Sequence, residues 1–348
     1  MTNSSNVYCP RCLSKNLNKY GSDHNDNQKY QCQDCDRQFA PETLKKSNYL
    51  DPSNYKYQPY PVCGKATFLH HDYEYYYNLR CCDKTCNHSF NLPKSKEIKP
   101  LPQNINLPGK TNFKGMRHAP HLIVMALYHY FHHQSSTRKV STYLKDFYNV
   151  KVTHVTISDW IKKFAPLFKL KSEKIMPDTL NHSDEWHVDE TVVKIKGQKY
   201  YLWAIIDSET RFILSYNLSP YRSPKPAFEL FKSVKMKFGQ PKAIVSDRYP
   251  SYNVPTNMTF DLSNHIKVQS FKDDVSNNLI ESFFGTFKDW YNGRKGFKSY
   301  TSANQLISVF IFFYNFVRSH SELNDLTPTQ VAGCNYSDQE RKSWLIAA

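Results

Sequence analysis

The sequence predicts an α/β protein whose main domain is a mixed five-stranded sheet with helices, preceded by cysteine-rich units and a helical region. Three observations carry this. From residue 185 onward, strand-like runs with period-two alternation are interleaved with stretches of helical period. Eight of the nine cysteines lie before residue 87, mostly in closely spaced groups. Between these regions, residues 116–172 carry short apolar stripes at helical spacing.

The chain has 348 residues, enough for two or three domains and a sizeable core. Its 46 Lys and Arg against 31 Asp and Glu give a formal +15, which favours a polyanionic partner. An anionic membrane surface is the rival to nucleic acid, but there is no lipidation motif and no basic amphipathic helix. The N-terminal Met-Thr-Asn-Ser-Ser-Asn lacks the apolar core of a signal peptide. The most apolar stretch, 306–317, is interrupted by Asn315 and falls short of the roughly 20 residues a bilayer needs. A soluble intracellular protein is expected, with no membrane partner.

Each element follows from local pattern. Cys9-Pro10-Arg11-Cys12 and Cys32-Gln33-Asp34-Cys35 are two C-x2-C pairs separated by 19 residues, each able to aim two thiolates at one tetrahedral Zn2+. Residues 1–45 are therefore read as a zinc ribbon. About 51 residues on, 55–92 repeat the pattern imperfectly. Tyr60 stands where the first cysteine would be, and Cys63, Cys82 and Cys86 are the remaining candidates. Cys81, His70, His71 or His88 could supply a fourth ligand. The alternative is a ribbon without metal, held by Tyr and Phe packing. Residues 93–115, rich in Pro and Lys, read as a basic linker.

In 116–172, Leu122, Met125, Ala126 and Tyr130 mark one helix. Val140, Leu144 and Phe147 mark a second, behind the cap offered by Ser135-Ser136-Thr137. Ile157, Ile161 and Phe164 mark a third, capped by Thr153. This is a helix-turn-helix pattern, with Thr153, His154, Thr156 and Ser158 as candidate groove contacts. A plain helical spacer is the alternative.

The last region, 180–335, runs in order through strands 185–195, 200–206 and 211–218, a helix 226–238, a strand 243–246 ending at Asp247, a strand 266–271 and a helix 280–291. Three antiparallel strands, a helix and a parallel strand follow the order of a ribonuclease-H-like fold. Asp189 lies in the first strand, Asp247 ends the fourth, and Glu281 opens the last helix. Two aspartates on strands and a glutamate on a later helix can converge on one point, as two-metal phosphoryl transfer requires.

Trp186-His-Val-Asp189-Glu190-Thr191, Tyr201-Leu-Trp203-Ala-Ile-Ile-Asp207, Ile244-Val-Ser-Asp247 and Asn277-Asn-Leu-Ile-Glu281 resemble, in order, the core of DDE transposases. The likeness is greatest to the IS6-type insertion-sequence transposases and their integrase-core relatives. Phe312-Phe-Tyr314-Asn315-Phe316-Val-Arg318-Ser-His320, followed by Leu326-Thr327-Pro328, is similar to that family's closing helix. The 33 residues between Asp247 and Glu281 are about one fewer than usual there.

The resemblance implies a transposase that binds insertion-sequence ends and carries out DNA cleavage and strand transfer. Asp189, Asp247 and Glu281 would hold two Mg2+ (or Mn2+) ions for in-line attack by water and then by a DNA 3′-hydroxyl. Lys288, two helical turns after Glu281, would contact end DNA. The partners implied are double-stranded DNA, both transposon ends and target, and further copies of the chain in a dimer or larger complex.

Other acidic residues are set aside. Glu190 points to the opposite strand face from Asp189. Asp207 is expected to start a turn, and Asp273 and Asp274 to lie in a loop. His187 is read as directed away from the site by strand alternation. No Ser-His-Asp arrangement and no G-x4-G-K-[ST] loop occurs, so ATP is not implied. Two rival readings remain: a transposase-derived DNA-binding regulator whose core is a scaffold, and a ribonuclease-H-like nuclease that cuts without joining.

Overall fold

Two small antiparallel sheets of similar build make up the first of two units, Met1–Glu97. The computed structural model describes residues 7–41, 56–102, 107–175, 184–268, 277–294, 296–334 and 336–337. The first sheet has the order β1 (Leu17–Ser22), β2 (Gln28–Cys32), β3 (Gln38–Phe39), and the second β4 (Thr67–Asp72), β5 (Tyr76–Cys81), β6 (Ser89–Pro93). Such short strands bury little apolar surface. The first sheet packs on its four buried cysteines, with Phe39 stacked 6.0 Å from Tyr30.

The second unit, Ile98–Ala348, begins with helices α1 (Pro120–Phe131), α2 (Thr137–Tyr148), α3 (His154–Lys163) and α4 (Ala165–Ile175). Ser136 Oγ accepts from Lys139 N and Thr153 Oγ1 from Thr156 N, so both expected caps form. Asn149, left-handed at φ 52°, closes α2. Val140 and Leu144 enter the core, but Phe147 remains 74% exposed and lies against Tyr143 instead. The fourth helix was not evident from the apolar pattern. Its Phe168 packs 5.2 Å from Phe312 and 5.4 Å from Phe313, so helices and sheet share one core.

The sheet is mixed and five-stranded, in the order β11-β10-β7-β8-β9. Strands β7 (Glu185–Ile195), β8 (Gln198–Asp207) and β9 (Ile213–Ser219) are antiparallel; β10 (Ala243–Asp247) and β11 (Asn264–Val268) run parallel to β7. Lys196 and Gly197, both at positive φ, make the two-residue turn that fixes the β7–β8 register. Helices α5 (Pro224–Phe238), α6 (Asn253–Thr259), α7 (Asn278–Asn292), α8 (Tyr300–Phe312) and α9 (Pro328–Val331) complete the unit. This is the ribonuclease-H-like arrangement. The last strand begins two residues earlier than its apolar run suggested, and residues 269–276, with Asp273 and Asp274, lie outside the described residues. Among the described residues, no helix is long and apolar enough to cross a membrane.

Candidate active site

Register brings the two aspartates together. On the parallel pair, Ala243 lies opposite Glu185, Ile244 opposite Trp186 and Val245 opposite His187. The pairing ends there, and Asp189 and Asp247 each follow two residues beyond the last paired position of their neighbouring strands. Glu281 sits in the first turn of α7, whose buried Ile280, Phe283, Phe284, Phe287, Trp290 and Tyr291 leave the glutamate on the exposed side.

The start of α7 is fastened to β7. Asn277 Oδ1 lies 3.3 Å from His187 Nδ1, and His187 Nε2 lies 2.9 Å from Glu185 Oε1. This corrects the expectation for His187. Residues two apart on a strand share a face, so His187 stands on the Asp189 side, where it is 4% exposed and takes part in seating the helix that carries Glu281.

Burial, and then the charge of Glu190, push the Asp189 carboxyl up to about 7, and the charges of Asp247 and Glu281 add to this. The backbone N–H of Glu190 donates to Asp189 and works against the shift. The three candidate carboxylates are therefore close enough to repel, although they do not all lie within 4.8 Å of one another, as the clustered cysteines do. Hard oxygen donors with surplus negative charge, two on neighbouring interior strands and one on a helix, fit a divalent cation such as Mg2+ or Mn2+.

Glu190 points to the other strand face yet is not remote from the site. Its side chain accepts from the Tyr252 hydroxyl and pairs with Arg222, whose Nη2 lies 3.9 Å from Asp247 Oδ2. The guanidinium rests 3.7 Å from the Tyr249 ring centroid, and Tyr249 N donates to Asp247 Oδ1 at 2.9 Å. Arg222 and Tyr252 escaped the sequence reading because neither lies in a motif of fixed spacing. Asp207 accepts from Thr210 N and Oγ1 and so does serve a turn.

Lys288 is exposed on α7, two turns beyond Glu281. Beside that helix lies a cleft of about 300 Å3 lined by Arg211, Ser282, Thr286, Arg318, His320 and Glu322, among others. Burial, with Arg318 and Arg211 nearby, pushes His320 down to about 4 and keeps it neutral. The tail motif contained Arg318 and His320, but nothing in its spacing showed that they line a cleft. At the start of α3, Thr153 and His154 are exposed, while Thr156 and Ser158 are half-buried. The Thr153 and Thr156 hydroxyls lie 3.0 Å apart.

In the first ribbon, Cys9, Cys12, Cys32 and Cys35 gather into one buried cluster. In the second, Cys63 and Cys86 gather with Cys81, not with Cys82 as expected. Cys81 ends β5 and its N–H bonds His88 O, as Cys32 N bonds Arg37 O at the end of β2. Cys82, one residue on, is buried instead beside Ala66 and the first cluster. The second knuckle of this unit is thus C-x4-C, where the first ribbon has C-x2-C.

A family model described as a DDE domain matches residues 183–320, which contain Asp189, Asp247 and Glu281. The transposase for the insertion sequence-like element IS431mec of Staphylococcus aureus is 30% identical over 170 residues, covering 46% of this chain and 69% of that protein. The transposase for IS257 in transposon Tn4003, also from Staphylococcus aureus, matches to the same extent. The HTLV-2 integrase catalytic core domain in complex with magnesium aligns at 16% identity over 45% of this chain and 97% of that chain, with a TM-score of 0.34. That likeness is partial, and the fold rests on the strand order above. The match to the two transposases spans more than two thirds of their length, and on that ground the chain belongs to the IS6-type DDE transposases of insertion sequences.

Proposed function

We propose that this transposase binds the ends of its insertion sequence and cleaves and joins DNA at a site formed by Asp189, Asp247 and Glu281. The observation that supports this reading is the parallel pairing of β7 and β10, which ends two residues before both Asp189 and Asp247. Two Mg2+ (or Mn2+) ions held by these carboxylates supply, when bound, activation of the attacking oxygen and charge neutralisation at the leaving oxygen.

The chain's own residues do the rest. His187 and Asn277 hold α7 in register, so that Glu281 faces the aspartates. Arg222, anchored on Glu190 and stacked on Tyr249, keeps a positive charge beside Asp247. Lys288 contacts the phosphates of the end DNA. His154, with Thr153, Thr156 and Ser158, enters the groove at the N-terminus of α3, where free backbone N–H groups also favour phosphate. Cys9, Cys12, Cys32 and Cys35 hold a structural Zn2+ that shapes the first ribbon. Joining two ends requires a homodimer or larger complex acting in the cytoplasm on nucleoid DNA.

The test is a strand-transfer assay with purified protein, Mg2+ and labelled duplexes from the sequences flanking the gene, run beside Asp247→Ala. Joined products that disappear in the variant are expected. Cutting without joining would make the protein a nuclease, and tight binding without either product in Mg2+ or Mn2+ would make it a regulator.

A further inference from the structure

The second N-terminal unit repeats the first in backbone detail. Cys9 N bonds Ser14 O and Leu13 N bonds Cys9 O; Tyr60 N bonds Lys65 O and Gly64 N bonds Tyr60 O. Leu13 and Gly64, at φ 58° and 65°, turn the two knuckles, as Asp36 and Asn87, at 56° and 45°, turn the other two. Cys63, Cys81 and Cys86 thereby stand where Cys12, Cys32 and Cys35 stand in the first ribbon. Arg11 N donates to Cys9 Sγ at 3.4 Å, and Asp83 N donates to Cys81 Sγ at 3.4 Å, an N–H···S bond that favours the thiolate.

The sulfur spacing suits a metal. A tetrahedral ion with Zn–S bonds of about 2.3 Å needs sulfur–sulfur edges of about 3.8 Å. Cys63 and Cys81 lie 3.5 Å apart and Cys63 and Cys86 3.8 Å, against 3.5 Å for Cys9–Cys35 and Cys12–Cys32. A disulfide would need about 2.05 Å, and three thiols cannot all be paired by one.

The place that Cys9 holds in the first ribbon is held here by Tyr60. His88 Nδ1 lies 3.7 Å from Cys86 Sγ, and its ring is stacked on Tyr60 at 6.1 Å and 6°. Tyr60 thus orients an imidazole beside the cluster. The His88 ring is exposed, so it can turn toward the other two sulfurs. His70 pairs with Asn78 and His71 packs on Tyr73, both on β4 rather than on a knuckle.

We propose that the second unit binds its own Zn2+ through the thiolates of Cys63, Cys81 and Cys86 and the Nδ1 of His88. Lys65 pairs with the buried Asp83 and fastens the C-x4-C loop to the opposite knuckle. The metal then holds together a sheet too small to supply a core of its own.

The test measures zinc per chain in the full-length protein by plasma mass spectrometry, together with visible spectra after Co2+ replacement. Two zinc ions per chain are expected, falling to one in Cys63→Ser and, at another site, to one in Cys12→Ser. Cobalt in the Cys12→Ser protein should give the spectrum of a three-sulfur, one-nitrogen site, which His88→Ala changes or abolishes. As His88 is exposed, that variant tests the ligand without disturbing the sheet. One zinc per chain in the unmodified protein, lost in Cys12→Ser and kept in Cys63→Ser, would overturn the proposal. So would two zinc ions with a cobalt spectrum indifferent to His88→Ala. Neither result depends on DNA strand transfer.

Discussion

Asp189 shows what the site requires of a single side chain. Its carboxyl is held up at about 7, first by burial and then by Glu190, against an ordinary value of 3.8. A carboxyl with a raised folded value binds protons in the fold that the unfolded chain has already released. Its contribution therefore turns unfavourable as pH rises from about 4 to about 7 and stays so above that. The cost in the metal-free protein is on the order of 2–4 kcal/mol. Metal-free Asp189→Asn should melt several degrees above the unmodified protein at pH 8, with the difference closing toward pH 4. Mg2+ should raise the melting temperature of the unmodified protein far more than that of the variant. Thermal melts across pH, with and without Mg2+, check both statements, and a gap independent of pH would contradict the account. Glu190 illustrates the other side of the same physics. Burial also raises its carboxyl, but Tyr252 and Arg222 as partners work against the rise. Strand alternation rightly gave its direction, yet alternation says nothing about what reaches round from another element.

At the scale of elements, the candidate site depends on how α7 is seated. Apolar residues press the helix onto the sheet, but they fix its position along the strands only loosely. The Asn277–His187 contact sets that position, two residues from Asp189. Asn277→Ala should lower strand transfer roughly 10–100-fold, as small misplacements of reacting groups do. It should cost only about 1–2 kcal/mol of stability, and end-DNA affinity should be unchanged. Melting curves, gel-shift titrations and strand-transfer rates on one preparation separate these effects. A parallel loss of binding and activity would mean general disorder of the helix instead. The contact also marks how far the sequence could be read. Strand and helix identities followed from period, and the caps at Ser136 and Thr153 from residue type, because these depend on neighbours in the chain. The contact between residues 187 and 277 depends on the whole sheet being assembled, as does the choice of Cys81 over Cys82. The fourth helix, α4, was missed for a related reason: its apolar residues bunch in its first turn, where they meet Phe312 and Phe313, and give no full-length stripe.

For the whole molecule, charge is the property that distinguishes binding anywhere on DNA from binding at an end. The region after Glu97 carries 33 Lys and Arg against 21 Asp and Glu, so most of the formal +15 lies in the unit that contains the five-stranded sheet and helices α1 to α4. Such charge gives affinity for any duplex and makes it fall steeply with salt, with a logarithmic slope of about −0.9 per phosphate neutralised. Sequence preference has to come from side chains that reach base edges, at about 1–3 kcal/mol for each good contact. Lys288 and His154 therefore predict different failures. Lys288→Ala should weaken end DNA and unrelated DNA alike and lower the salt slope by about one. His154→Ala should weaken end DNA roughly 5–100-fold while leaving unrelated DNA and the salt slope nearly unchanged. Fluorescence anisotropy with both duplexes over a range of salt concentrations measures all four quantities. If His154→Ala weakens both duplexes equally, α3 serves as a spacer or a phosphate clamp, and recognition of the ends must lie in another part of the chain.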